Sequence, residues 1–179
     1  DKFKESLSYI WDTIKSINNF AWDTTKDFVV GFGKSLYETG NTFEQLQVRM
    51  EAVFGGSGAA KAALDWAVDF GAKTPLTLDQ VASAMVKLKT FGFDPMNGTL
   101  QKLGDAAFAL GTDFDGIVTA LGQMQLKGKV SAEELMQLAE RNVPVYEILR
   151  EKFKLTSEQL GNIGKVGLNV NEVVQAIVD

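Results

Sequence analysis

The chain has 179 residues, of which 45% are hydrophobic and 23% charged, a balance that suits a folded chain with a real core and excludes a disordered one. Its 18 Lys and Arg against 23 Asp and Glu leave a net charge of -5, which argues against a nucleic-acid phosphate backbone as the main partner. With neither cysteine nor histidine, the sequence offers no disulfide, no zinc site of the usual kind, no thiol nucleophile and no triad built on an imidazole.

Residues 1–40 read as an N-terminal amphipathic helical segment. Phe3, Leu7, Ile10, Ile14, Ile17 and Ala21 follow alternating steps of four and three, the heptad spacing. Trp11, Phe20, Trp22, Phe28 and Phe32 add aromatic bulk, so the stripe needs a partner helix, a core or a bilayer surface. Phe3, Leu7, Ile10, Ile14 and Ile17 are the candidate self-association residues, and a homo-oligomer is one expected outcome. No apolar run reaches the ~18 residues of a membrane span, and no signal-peptide pattern opens the chain. A start at Asp1 instead of Met reads as a fragment or a processed product. "VVGFGKSLY" resembles a phosphate loop only briefly, because the glycine required five residues before Gly33 is Phe28.

From Asn41 to Asp179 the pattern becomes a train of short helices. Phe43, Leu46, Met50 and Phe54 share one face, and "GGSG" (Gly55–Gly58) ends that helix. An alanine-rich helix follows, with Leu64, Val68 and Phe70 as core. Pro75 breaks the chain, and "TLDQ" (Thr77–Gln80) is a capping box for a helix carrying Val81, Met85, Leu88 and Phe91 that stops at Gly92. After "FDPMNGT", Leu100, Leu103, Ala107 and Leu110 form a stripe ended by Gly111. The next helix carries Ile117, Leu121, Met124 and Leu126. "SAEE" (Ser131–Glu134) reads as a second capping box and "TSEQ" (Thr156–Gln159) as a third. Between them, Asn142 suits a left-handed helix end and Pro144 the first turn of the following helix. Val173, Val174 and Ile177 close the chain. Gly104, Gly116 and Gly122 fall inside predicted helices, where each costs ~1 kcal/mol against alanine, and close helix–helix approach is the economical reason. Glu134–Gln137 and Glu172–Gln175 echo each other, which we read as convergence on one kind of helix start. Strand-like alternation is nearly absent. The predicted fold is all-α: a compact bundle of short helices behind the N-terminal amphipathic segment.

Only paired carboxylates could carry catalysis in such a chain. Glu133 and Glu134 are neighbours that point about 100° apart on a helix and cannot flank one bond. Asp113 and Asp115 sit at a helix start, where acids complement the dipole. Asp65 and Asp69, one turn apart beside Trp66, suggest a sugar site but read better as a solvated face. The Lys87/Lys89, Lys127/Lys129 and Arg150/Lys152/Lys154 spots read as solvated helix faces or ends. Counting from Asp94, an EF-hand would need oxygen ligands where Met96 and Gly98 stand, so the loop is not a calcium site. Backbone work fits it better: Gly92 ends one helix, Pro95 forbids continuation, and Asn97 or Thr99 caps the next. No metal or other cofactor is expected.

These residues also carry a resemblance. "KTPLTLDQVASAMVKLKTFGFDPMNGTLQKLGDAAFALG" and "IVTALGQMQLKGKVSAEELMQLAERNVPVYEIL" resemble the tape-measure domain of tailed-phage and prophage tail proteins. The motif positions here are Thr74-Pro75, Gly92, Asp94-Pro95, Gly98, Gly128, Glu134, Gln137 and Asn142-Pro144, with Asn142 and Ala132 standing where the family usually has glycine. The likeness covers about residues 41–178. It implies a non-enzymatic structural module whose partners are other tape-measure copies, the tail tube and tail assembly chaperones. It places the protein in the tube lumen of the virion tail, and in the host cytoplasm during assembly. The competing expectations are a peptidoglycan-cleaving module and a membrane-active one, both used at host entry.

Overall fold

The computed structural model describes residues 43–178, together with the isolated positions Ser8 and Gly31. The stripe Phe3, Leu7, Ile10, Ile14 and Ile17 and the expected boundary near residue 40 therefore lie outside the described residues. The chain divides into two compact units, Asp1–Val86 and Lys87–Asp179. Among the described residues every regular element is helical.

In the first unit, α1 (Phe43–Phe54) packs on α2 (Ser57–Ala72) as a helical hairpin. The reversal uses Gly55 and Gly56, at φ 86° and 124°, whose N–H groups both donate to the Glu51 carbonyl at 3.2 and 3.1 Å. Ser57 and Gly58, expected in the turn, instead form the first turn of α2. Leu46 and Met50 of α1 are buried, as are Ala60, Ala63, Leu64, Ala67, Val68 and Phe70 of α2. The alanines give α2 a small-residue face, which lets two helices approach closely. The helix α3 (Leu78–Thr90) starts in the first unit and runs into the second. Its capping box forms as expected: the Thr77 N–H donates to Gln80 Oε1 at 2.9 Å, and the Gln80 N–H donates to Thr77 Oγ1 at 3.3 Å.

The second unit holds α4 (Leu100–Leu110), α5 (Phe114–Lys127), α6 (Ala132–Ala139), α7 (Val145–Phe153), α8 (Ser157–Gly161), α9 (Ile163–Val166) and α10 (Val170–Val178). Consecutive helices pack pairwise from α4 to α7, and α10 returns to contact α4, α5 and α7. This closure joins the end of the unit to its start and makes one core of Leu100, Leu103, Ile117, Leu121, Met124, Leu135, Leu138, Leu149, Val173 and Ile177. Fully burying each large aliphatic side chain is worth about 1.5–3 kcal/mol, the main term holding short helices that are marginal alone. The Thr156–Gln159 capping box starts α8, with bonds of 2.9 and 3.2 Å.

Four expectations need correction. Leu126 is 67% exposed, because it stands two residues beyond buried Met124 and so lies round the far side of α5. Gly116 and Gly122 do not admit a neighbouring helix backbone. A Cβ on Gly122 would fall on the Phe91 ring, and one on Gly116 would fall on the Arg141 guanidinium, so these glycines receive side chains. Pro144 takes the N-cap position of α7 and not its first turn; its carbonyl accepts from the Glu147 and Ile148 N–H groups, both at 3.0 Å. The Ser131–Glu134 box does not close, because Ser131 makes no side-chain bond to the backbone of α6 and its hydroxyl turns to the Glu134 carboxylate.

Candidate functional site

The corner between α3 and α4 is built from backbone geometry upward. Gly92 stands at φ 87°. Its N–H donates to the Lys89 carbonyl at 3.0 Å, and the Phe93 N–H donates to the Leu88 carbonyl at 2.9 Å, a Schellman closure. Asp94 is extended, as a residue before proline must be, and its side chain accepts the Met96 N–H at 3.0 Å. Pro95 is buried. Asn97 Oδ1 accepts from the Thr99 N–H at 3.2 Å and from its hydroxyl at 2.7 Å, while Gly98 turns the chain at φ 98°. One side-chain oxygen each of Asp94, Asn97 and Thr99 thus takes part in a bond that shapes the turn. Among the described residues no group of three acidic side chains could hold a metal ion.

The one buried charge among the described residues is Glu134, whose exposure is 0%. Lys127, the last residue of α5, reaches across the turn at Gly128 (φ 63°) to α6. Its ammonium donates to Glu133 at 2.8 Å and also to Glu134. The Ser131 hydroxyl donates to the other oxygen of Glu134, and the Ser131 side chain caps no backbone N–H of α6. Burial pushes the Glu134 carboxyl up, but the hydrogen bonds from Lys127 and Ser131 outweigh it and hold the group below its ordinary value. The hydrogen bonds to Glu133 and then Glu134 raise Lys127. Chemically this is a clasp between α5 and α6: a buried, ionised, hydrogen-bonded carboxylate is an acceptor and has no proton to give. Sequence reading did not single out Lys127 as the partner. The available signal was a lysine at a helix end, seven residues before a glutamate in the first turn of the next helix.

The remaining motif positions also shape the backbone. Asn142 adopts φ 61°, and the bonds from Asn142 N–H to the Ala139 carbonyl (3.0 Å) and from Val143 N–H to the Leu138 carbonyl (3.1 Å) repeat the Schellman closure with asparagine in glycine's place. The Gln137 carbonyl accepts from Arg141 Nη1 at 2.7 Å, on the side chain that Gly116 makes room for. Thr74 bonds back to the Phe70 carbonyl at 3.1 Å, ahead of exposed Pro75. Asp94 and Gly98 therefore share the α3–α4 corner, whereas Glu134 stands in the first turn of α6 and Asn142 just past its end.

The carboxylates beside Trp66 are engaged elsewhere. Asp65 pairs with Lys61 at 2.8 Å and Asp69 with Lys73 at 2.6 Å, each one helical turn away, and Trp66 stacks on Phe70 with centroids 4.9 Å apart. Asp113 caps α5 by accepting the Gly116 N–H at 3.0 Å, and Asp115 holds Lys87 at 2.6 Å. No helix among the described residues is long and apolar enough to cross a membrane.

The family model that matches describes a tape measure protein and covers residues 34–179. Among curated proteins, the chain is 41% identical over 143 residues to the Mu-like prophage FluMu protein gp42 of Haemophilus influenzae, an alignment that takes in 75% of this chain and 22% of that protein. No solved structure matches. The chain belongs to the tape measure protein family, and it spans about a fifth of the length of the curated relative it matches.

Proposed function

We propose that this member of the tape measure protein family is a folded helical module of a longer phage-tail structural protein. It acts in tail assembly, length determination and genome delivery through protein–protein contacts. Its partners are other tape-measure copies, the tail tube and tail assembly chaperones, and its place is the tube lumen, after assembly in the host cytoplasm. The observation that carries this reading is the combination of family membership with short, corner-rich helices. The longest described helix, α2, has 16 residues. At ~1.5 Å per residue it reaches only about 24 Å, so length must come from other parts of the whole protein. The motif residues make corners and a clasp, the parts a docking or assembly module needs to keep one shape.

The test is a deletion of these residues from the full-length protein, with tails measured by electron microscopy. A docking or assembly module predicts few or no tails, and normal length in those that form. Abundant tails shortened by about 270 Å, the full helical reach of 179 residues, would make this segment part of the ruler and overturn the reading.

A further inference from the structure

Asn97 is the one asparagine of the chain followed by glycine. It is exposed, it stands in a five-residue turn, and nothing lies within 4 Å of where a Cβ of Gly98 would be. Its side-chain carbonyl is held back over its own following backbone by the Thr99 N–H at 3.2 Å and the Thr99 hydroxyl at 2.7 Å. We propose that Asn97 is a site of spontaneous deamidation in the folded chain, with Thr99 as its positioning residue.

The chemistry follows from that placement. The Gly98 peptide nitrogen loses its proton and attacks Asn97 Cγ, forming the new C–N bond of a five-membered imide. The bond from Cγ to the side-chain nitrogen breaks, and that nitrogen leaves as ammonia with the proton. Water then opens the imide at either carbonyl, giving aspartate or its main-chain-lengthened isomer; the sum is amide plus water to acid plus ammonia. Two donors on the amide oxygen draw electrons from Cγ and stabilise the charge that builds on the oxygen during attack. They also hold Cγ beside the peptide that must reach it. Closing the ring requires Asn97 to rotate from ψ 17°, and a following glycine with open space around it lets the chain follow.

Asp115–Gly116 is the internal contrast. The same imide could form there, but the Gly116 N–H is bound to Asp113 Oδ2 at 3.0 Å, Gly116 is buried in α5, and the Asp115 carboxylate is held by Lys87. The structure assigns reactivity to one site and protection to the other. The isomerised product lengthens the main chain inside Pro95–Thr99, next to buried Leu100, so it loosens the start of α4.

The experiment is incubation of the intact 179-residue chain in mildly alkaline buffer, folded and in urea, followed by tryptic mass spectrometry of the Thr90–Lys102 peptide. In the folded chain this peptide should gain the mass of amide-to-acid exchange before any other asparagine peptide, while the Asp115 peptide develops no second chromatographic peak of equal mass. Thr99→Val should slow the folded-state rate several-fold, and Thr99→Ser should restore it; in urea all three rates should coincide. Asn97 intact in the folded chain while it converts in urea would overturn the proposal. So would a Thr99→Val rate equal to the parent's in the folded state.

Discussion

Glu134→Gln removes the buried charge and keeps the shape. The parent carboxylate receives donors from Lys127 and Ser131, and hydrogen bonds to a charged group are worth about 1.5–3 kcal/mol. Two effects reduce the loss: the amide is cheaper to bury, and Lys127 is part-exposed, so water replaces its lost partner. A net cost of about 2 kcal/mol at neutral pH follows, which for a chain of this size lowers the melting temperature by about 4–8 °C. The pH dependence fixes the sign. Glu134 titrates lower in the folded chain than its ordinary 4.5, so its contribution is complete above that value and disappears as pH falls through the folded value. Lys127 is raised above 10.5, so it loses its proton only at still higher pH and both groups are ionised at neutrality. Circular-dichroism melts of parent and variant should therefore differ at pH 7 and converge as the buffer is taken below the ordinary carboxylate range. Hydrogen exchange at the buried Leu135 and Leu138 of α6 assigns the loss to the second unit. A gap that persists unchanged in acid, or a variant as stable as the parent at pH 7, would refute the clasp as described.

Gly122→Ala should destabilise by about 1–2 kcal/mol, since overpacking against the Phe91 ring exceeds the ~1 kcal/mol gained in helix propensity; in a double-mutant cycle Phe91→Ala should reverse the sign and leave the alanine favourable. Gly98→Ala, at φ 98°, should cost about 1–2 kcal/mol in a denaturant titration, whereas Asp94→Ala should cost only about 0.5–1 kcal/mol for its turn bond and release no ion detectable by mass spectrometry of the native protein.

Much of this fold is written in local sequence, because its cues are local physics. Glycine, asparagine and proline fix backbone angles within one or two residues, and Thr-x-x-Gln caps close over three. That is why Gly92, Gly98, Asn142 and both threonine boxes could be placed from the sequence, and why Leu46, Met50, Leu100, Leu103, Ile117 and Leu121 fell on the buried face from periodicity alone. The ordered motifs from Thr74 to Pro144 also identified the family. Tertiary structure decided what depends on neighbours distant in the chain. Glu134 looked like a cap residue, and only the fold of α6 against α5 placed Lys127 beside it and buried the pair's acidic end. Gly116 and Gly122 announced missing side chains, but whether a backbone, an arginine or an aromatic ring fills the space is settled by helices meeting through residues up to 31 positions apart, as Phe91 and Gly122 do. Backbone angles are properties of short stretches, whereas desolvation and packing belong to the assembled core.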